Sequence, residues 1–120
     1  MESPTAFVIE DDRNLALAFA EAVKEADFEV EVFYDGQSAL DRLAEATPDI
    51  VILDLHIPHI SGSQILDYIR SSERLKGIRV IVASADDHRA AELRGVADLV
   101  LLKPIGFRQL QQLATRLRPR

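Results

Sequence analysis

Five short apolar runs alternate with five segments of helical periodicity from one end of the chain to the other. The runs are Thr5–Ile9, Phe28–Phe33, Asp49–Leu53, Val80–Ala83 and Leu99–Leu102. The third and fourth are continuous and rich in β-branched residues, as strands buried on both faces require. Phe28–Phe33 differs: Phe28, Val30 and Val32 alternate with Glu29 and Glu31, which predicts a strand with one wetter face near a sheet edge. Between the runs, Leu15, Phe19, Ala22 and Val23 predict a helix from Arg13 to about Glu25. Ala39, Leu40 and Leu43 mark a second helix, and Ile65, Leu66 and Ile69 a third. Asp86–Arg94 offers about two weak turns. Phe107, Leu110, Leu113, Ala114 and Leu117 form the stripe of the last helix. Strict strand–helix alternation predicts one α/β domain over residues 1–120, a doubly wound five-stranded parallel sheet with helices on both faces.

In a parallel sheet all strand C-termini share one edge, and that edge is where open α/β folds place their ligands. Four of the runs end there in polar groups. Glu10-Asp11-Asp12 follows the first, Asp54 the third, Ser84 the fourth and Lys103 the fifth. A polar residue at one strand end means little, but four converging ends are more than turn chemistry explains. Clustered carboxylates raise one another's pKa unless a cation relieves the repulsion. Mg²⁺ suits the task, because it takes oxygen ligands, keeps several waters and needs only one or two carboxylates. Asp11 and Asp54 are the expected pair, while Asp12 is expected to cap the first helix. A carboxylate beside a metal, a hydroxyl and an ammonium fits phosphoryl transfer with Asp54 as nucleophile. Lys103 and the Ser84 hydroxyl would then serve the phosphoryl oxygens.

Composition narrows the field further. The 120 residues hold no cysteine, so disulfides and thiolate metal sites are excluded, and a reducing cytoplasm is expected. No apolar run is long enough to span a bilayer, and no signal-peptide pattern opens the chain, so no membrane role is expected. The net charge of −6 argues against direct nucleic-acid binding by the domain. That charge is uneven, with five basic residues and no acidic one between Lys103 and Arg120. Cations near the C-terminus of a helix suit its dipole, and contact with an acidic partner is the alternative.

Taken together, Val8-Ile9-Glu10-Asp11-Asp12, Asp54-Leu55-His56-Ile57-Pro58 with Gly62 following, Ser84-Ala85 and Lys103-Pro104 give the chain a specific likeness. It resembles the receiver domain of two-component response regulators, the CheY-like family, over essentially its whole length. The resemblance implies a flavodoxin-like (βα)5 fold. It also implies a phosphoryl group accepted on Asp54 from a sensor histidine kinase or phosphotransfer protein, and a switch that controls a downstream effector. By the same resemblance Mg²⁺ is held by Asp11, Asp54 and the backbone carbonyl of His56, with Glu10 acting through water. Lys103 contacts the phosphate, Ser84 tracks it on switching, and the Lys103–Pro104 bond is cis. The chemistry implied is self-catalysed phosphoryl acceptance and loss, with no other enzyme activity. A stand-alone switch is the expectation, since no effector domain follows Arg120.

Two departures stand out. The family usually carries Tyr or Phe three residues before the lysine, where this chain has Val100, too small and stiff for an aromatic swing. The stretch from Ser84 to Lys103 is also short by close to one helical turn. That shortening alters the face through which many receivers form homodimers or hold a partner. The output is therefore expected to differ while the phosphorylation chemistry survives. Of the three histidines, His56 and, beside it, Asp86 are expected at the rim of the site. A haloacid-dehalogenase-type phosphatase would need an acid/base Asp where His56 stands, and a flavodoxin would not place three acids at its phosphate loop. A phosphorylation-independent pseudo-receiver, acting as an interaction module, is the remaining alternative.

Overall fold

The computed structural model describes residues 3–119. Its elements follow the order β1 (Thr5–Ile9), α1 (Arg13–Lys24), β2 (Glu29–Phe33), α2 (Gly36–Leu43), β3 (Ile50–Asp54), α3 (Gly62–Ser71), β4 (Arg79–Ser84), α4 (Asp87–Glu92), β5 (Leu99–Leu102) and α5 (Phe107–Leu117). All strand pairs are parallel and the sheet runs β2-β1-β3-β4-β5. The order reverses direction after β1, so the carboxyl ends of β1 and β3 flank the switch point where such sheets bind ligands.

The alternation of side chains along each strand divides the core in two. Phe7, Ile9, Val51, Leu53, Val80 and Val82 face α2 and α3, where Ala39, Leu43, Ile65, Leu66 and Ile69 meet them. Ala6, Val8, Ile50, Ile52, Ile81 and Ala83 face α1 and α5, against Ala16, Phe19, Val23, Leu110 and Ala114. Every residue of β3 is buried, as a central strand covered on both sides must be. β2 lies at one edge with Glu29 and Glu31 outward, which accounts for its alternating sequence. Phe28 precedes the strand rather than belonging to it, yet is buried under α1.

Helix starts are set by side chains that accept from otherwise unpaired N–H groups. Asp12 accepts from Leu15 at 3.0 Å, Asp35 from Ser38 at 2.8 Å, and Ser61 forms a capping box with Gln64. Asp86 caps α4 by accepting from His88 and Arg89. α4 is shorter than the Asp86–Arg94 segment read from the sequence. Only Ala90 of its six residues is buried, and Asp86 is the cap rather than a helical residue. The third strand runs Ile50–Asp54 rather than Asp49–Leu53, and the Asp49 carboxylate just before it accepts from the Thr5 backbone N–H at 2.8 Å.

Candidate functional site

The ends of four strands, β1, β3, β4 and β5, build the site. β1 ends at Ile9 and delivers Glu10, whose backbone N–H continues the ladder to Phe33 at 3.0 Å. Asp54 is the last residue of β3 and pairs with Ala83, so Ser84 stands one step further along the neighbouring strand. The Lys103 backbone N–H donates to the Ser84 carbonyl at 2.8 Å, which carries the β4–β5 pairing to the lysine. The Lys103–Pro104 bond is cis.

Glu10, Asp11 and Asp54 each offer a carboxylate oxygen, and these atoms lie within 4.8 Å of one another. Glu10 and Asp54 are buried, while Asp11 is open to solvent. Lys103 Nζ donates to Glu10 Oε1 at 2.7 Å and stands 3.5 Å from Asp54 Oδ1. The lysine thus answers two carboxylates with one charge, and the cluster is left with an excess of negative groups. Burial pushes the Glu10 pKa up to about 7, although the bond from Lys103 works the other way. Burial alone would lower the Lys103 pKa, but the Glu10 and Asp54 carboxylates outweigh it and raise the value. An oxygen-only donor set of this charge, open to water through Asp11, fits a hard divalent cation such as Mg²⁺.

The remaining predicted residues fall into place unequally. Asp12 turns away from the cluster to cap α1, as its position after the strand suggests. The His56 backbone N–H donates to Asp54 Oδ1 at 3.3 Å, and its side chain is exposed at the rim. Ser84 is fully buried, and its hydroxyl accepts from the Asp86 backbone N–H at 3.0 Å. It is therefore engaged with the β4–α4 turn rather than with Asp54. Val100 pairs with Val82 and packs on the α2–α3 side of the core. Sequence reasoning named Gly62 only as part of a motif. A Cβ there would come within 2.3 Å of the Asp54 carbonyl oxygen and 2.6 Å of Leu55 Cα. The start of α3 can lie this close to the end of β3 only without a side chain, which fixes the loop that carries His56.

Residues 6–115 match the family profile described as the response regulator receiver domain. The chain is 30% identical over 111 residues to the transcriptional regulatory protein PrrA of Mycobacterium leprae, covering 92% of this chain and 48% of that protein. It is 33% identical over 117 residues to the probable methanogenesis regulatory protein FilR2 of Methanothrix harundinacea, covering 88% and 75%. The chain spans about half the length of the first of these curated relatives. Among solved structures it resembles the response regulator TrrA of Thermotoga maritima in complex with Mg(2+)-BeF, with a TM-score of 0.84 and 27% identity over 95% of this chain and 98% of that one.

Proposed function

The chain belongs to the response regulator receiver domain family of two-component signalling, and on that premise we propose that it is a Mg²⁺-dependent switch phosphorylated on Asp54. The observation that carries this reading is the Lys103 ammonium between the buried Glu10 and Asp54 carboxylates. A partly buried lysine in that position can follow the phosphoryl oxygens once they arrive at Asp54. Asp11 and Asp54, with the His56 carbonyl and with Glu10 through water, would hold Mg²⁺. When bound, the cation neutralises phosphoryl and carboxylate charge.

In the proposed transfer an Asp54 oxygen attacks the phosphorus of a donor phosphohistidine. The P–N bond breaks, its electron pair stays with the imidazole nitrogen, which takes up a proton, and an acyl phosphate remains on Asp54. Lys103 compensates the transferred charge. Ser84 would exchange its bond with Asp86 for one to a phosphoryl oxygen, drawing the start of α4 with it. The donor is a sensor histidine kinase or phosphotransfer protein, and the readout is a downstream effector protein. Neither nucleic acid nor membrane is proposed as a direct partner of this domain. No helix among the described residues is long and apolar enough to cross a membrane.

The test is intact mass after incubation with Mg²⁺ and acetyl phosphate or phosphoramidate, with Asp54→Asn alongside. A gain of one phosphoryl group, abolished by EDTA and by the substitution, is expected. No gain with either donor would sink the reading and leave an interaction module that works without phosphorylation.

A further inference from the structure

At the opposite end of the sheet lies a cleft of about 670 Å³ between the segment entering β3, the start of β4 and the end of α5. Its walls carry Arg74, Arg79, Arg116 and Arg118 against a single carboxylate, Asp49. Four guanidiniums on one concavity are conspicuous in a chain whose net charge is −6. The full length of β3, five residues at about 3.3 Å each, separates this cleft from Asp54.

Two of the four arginines, Arg74 and Arg116, have no carboxylate partner among the described residues. Arg74 donates to the Leu43 and Ala46 carbonyls and to Thr47 Oγ1, all neutral acceptors, so its position is fixed while its charge stays unneutralised. Arg116 has no carboxylate within 4.0 Å among the described residues. Arg79 and Arg118 are paired with Asp98 and Asp27 but remain partly exposed, at 57% and 37% of their side chains. Asp49 is held by the Thr5 backbone N–H. Set against Asp27, Asp49 and Asp98, the four guanidiniums leave a net positive excess carried by Arg74 and Arg116, in a concavity of the size that takes small ligands. Guanidinium groups bind phosphate through paired N–H donors, and several together select multiply charged anions over single ones.

We propose that this cleft is a binding site for a small polyphosphate, the diphosphate group shared by a nucleoside diphosphate and free pyrophosphate. The ligand would bind through the Arg74 and Arg116 guanidiniums, with Arg79 and with Arg118, which also donates to the Ala26 carbonyl and Asp27, lining the same cleft. The site is independent of the phosphorylation chemistry at Asp54 and would give the domain a second input.

The test is amide chemical-shift titration of the full chain in EDTA, which removes divalent cations from the Asp54 end. The probes are inorganic pyrophosphate, ADP and an octaglutamate peptide. Expected are shifts at Thr47, Asp49, residues 77–79 and residues 116–118 with pyrophosphate and with ADP, weakening as salt is raised. Tighter binding of ADP would identify a nucleotide-type ligand, and equal or weaker binding the free polyphosphate; both support the site. Arg116→Gln with Arg118→Gln should weaken binding at least tenfold while phosphorylation of Asp54 is unchanged. Arg116→Gln alone, on an exposed helical position, serves as the variant least able to disturb folding and should weaken binding measurably. The proposal is overturned by an absence of shifts at millimolar probe, by shifts that persist in the double variant, or by tighter binding of octaglutamate than of pyrophosphate. The last result would point to an acidic protein surface instead.

Discussion

At Glu10 burial and charge oppose each other, and the balance can be measured. Its side chain is 2% exposed, and burial raises its pKa from 4.5 to about 7 despite the bond from Lys103. A carboxyl that holds its proton more tightly when folded destabilises the fold as pH rises from its unfolded to its folded value. In metal-free protein the cost is absent at pH 4.5, grows to pH 7 and is complete above it. A shift of that size corresponds to roughly 3 kcal/mol. Glu10→Gln should therefore raise stability in EDTA at pH 8, by at most about that amount, and give no gain at pH 4.5. Urea melts at the two pH values would check it, and an equal gain at both would refute the argument. Gly62 supports a second prediction at this scale. A Cβ at 2.3 Å from the Asp54 carbonyl oxygen meets backbone that cannot yield cheaply. Gly62→Ala should cost about 2 kcal/mol or more and slow the phosphorylation proposed for Asp54. A variant of wild-type stability would show that the β3–α3 loop relaxes freely. Strand-end residues such as Asp54 and Lys103 were legible in the sequence because apolar runs point at them. The crowding at Gly62 was not, since it arises from the approach of two distant backbones.

Among the elements, α4 is the weak one, and what compensates for it lies outside it. Arg70 on α3 donates to the Val96 carbonyl at 2.8 Å, the Lys76 carbonyl at 3.0 Å, the Ile78 carbonyl at 2.6 Å and Asp98 at 3.0 Å. Asp98 also accepts from the Val80 backbone N–H at 2.7 Å and from Arg79 at 3.2 Å. One guanidinium thus ties the α4–β5 connection to α3 and to the start of β4. With the side chains of Arg70 and Asp98 still 23% and 22% exposed, removal should cost about 2 kcal/mol rather than the larger penalty of a fully buried pair. Arg70→Ala should also raise amide exchange across residues 94–98. Unchanged exchange there would mean that the connection is held by other contacts. The same clasp, with Val100 in place of a swinging aromatic, bears on the switch. A phosphoryl mimic such as beryllium fluoride with Mg²⁺ should shift amides at Asp11, Asp54–Ser61 and Ser84–Asp86 more than those at 94–102. Large shifts confined to Asp86–Leu102 would instead indicate the common receiver response. The sequence made the shortness of this region visible only by comparison with the spacing the family resemblance implies. It could not show the Arg70 clasp, whose acceptors are mostly backbone carbonyls that carry no sequence signal.

Over the whole molecule the charges are sorted, with carboxylates gathered where the strands end and arginines where they begin. Parallel topology makes the first gathering compulsory: residues at four strand ends share one edge whatever their distance in sequence. This is why the acidic site could be read from the alternation of apolar runs. The basic cleft could not, because it joins the end of α5 to two strand entrances that no motif links. The acidic end is held together against repulsion, so a cation that binds the folded carboxylates and not the unfolded chain must stabilise the fold. At a Mg²⁺ concentration ten times its dissociation constant, mass action gives about 1.4 kcal/mol. For a domain of this length that is a rise in Tm of roughly 5 °C. The rise should be larger at pH 8 than at pH 5, where Glu10 keeps its proton and the repulsion is already reduced. Asp11→Asn, on an exposed position that folding tolerates, should remove most of the Mg²⁺-dependent rise and leave the metal-free Tm unchanged or higher. Thermal melts of both proteins with and without Mg²⁺ decide the matter. A rise that survives Asp11→Asn in full would place the cation elsewhere, and with it the reading of the three carboxylates as one metal site would fall.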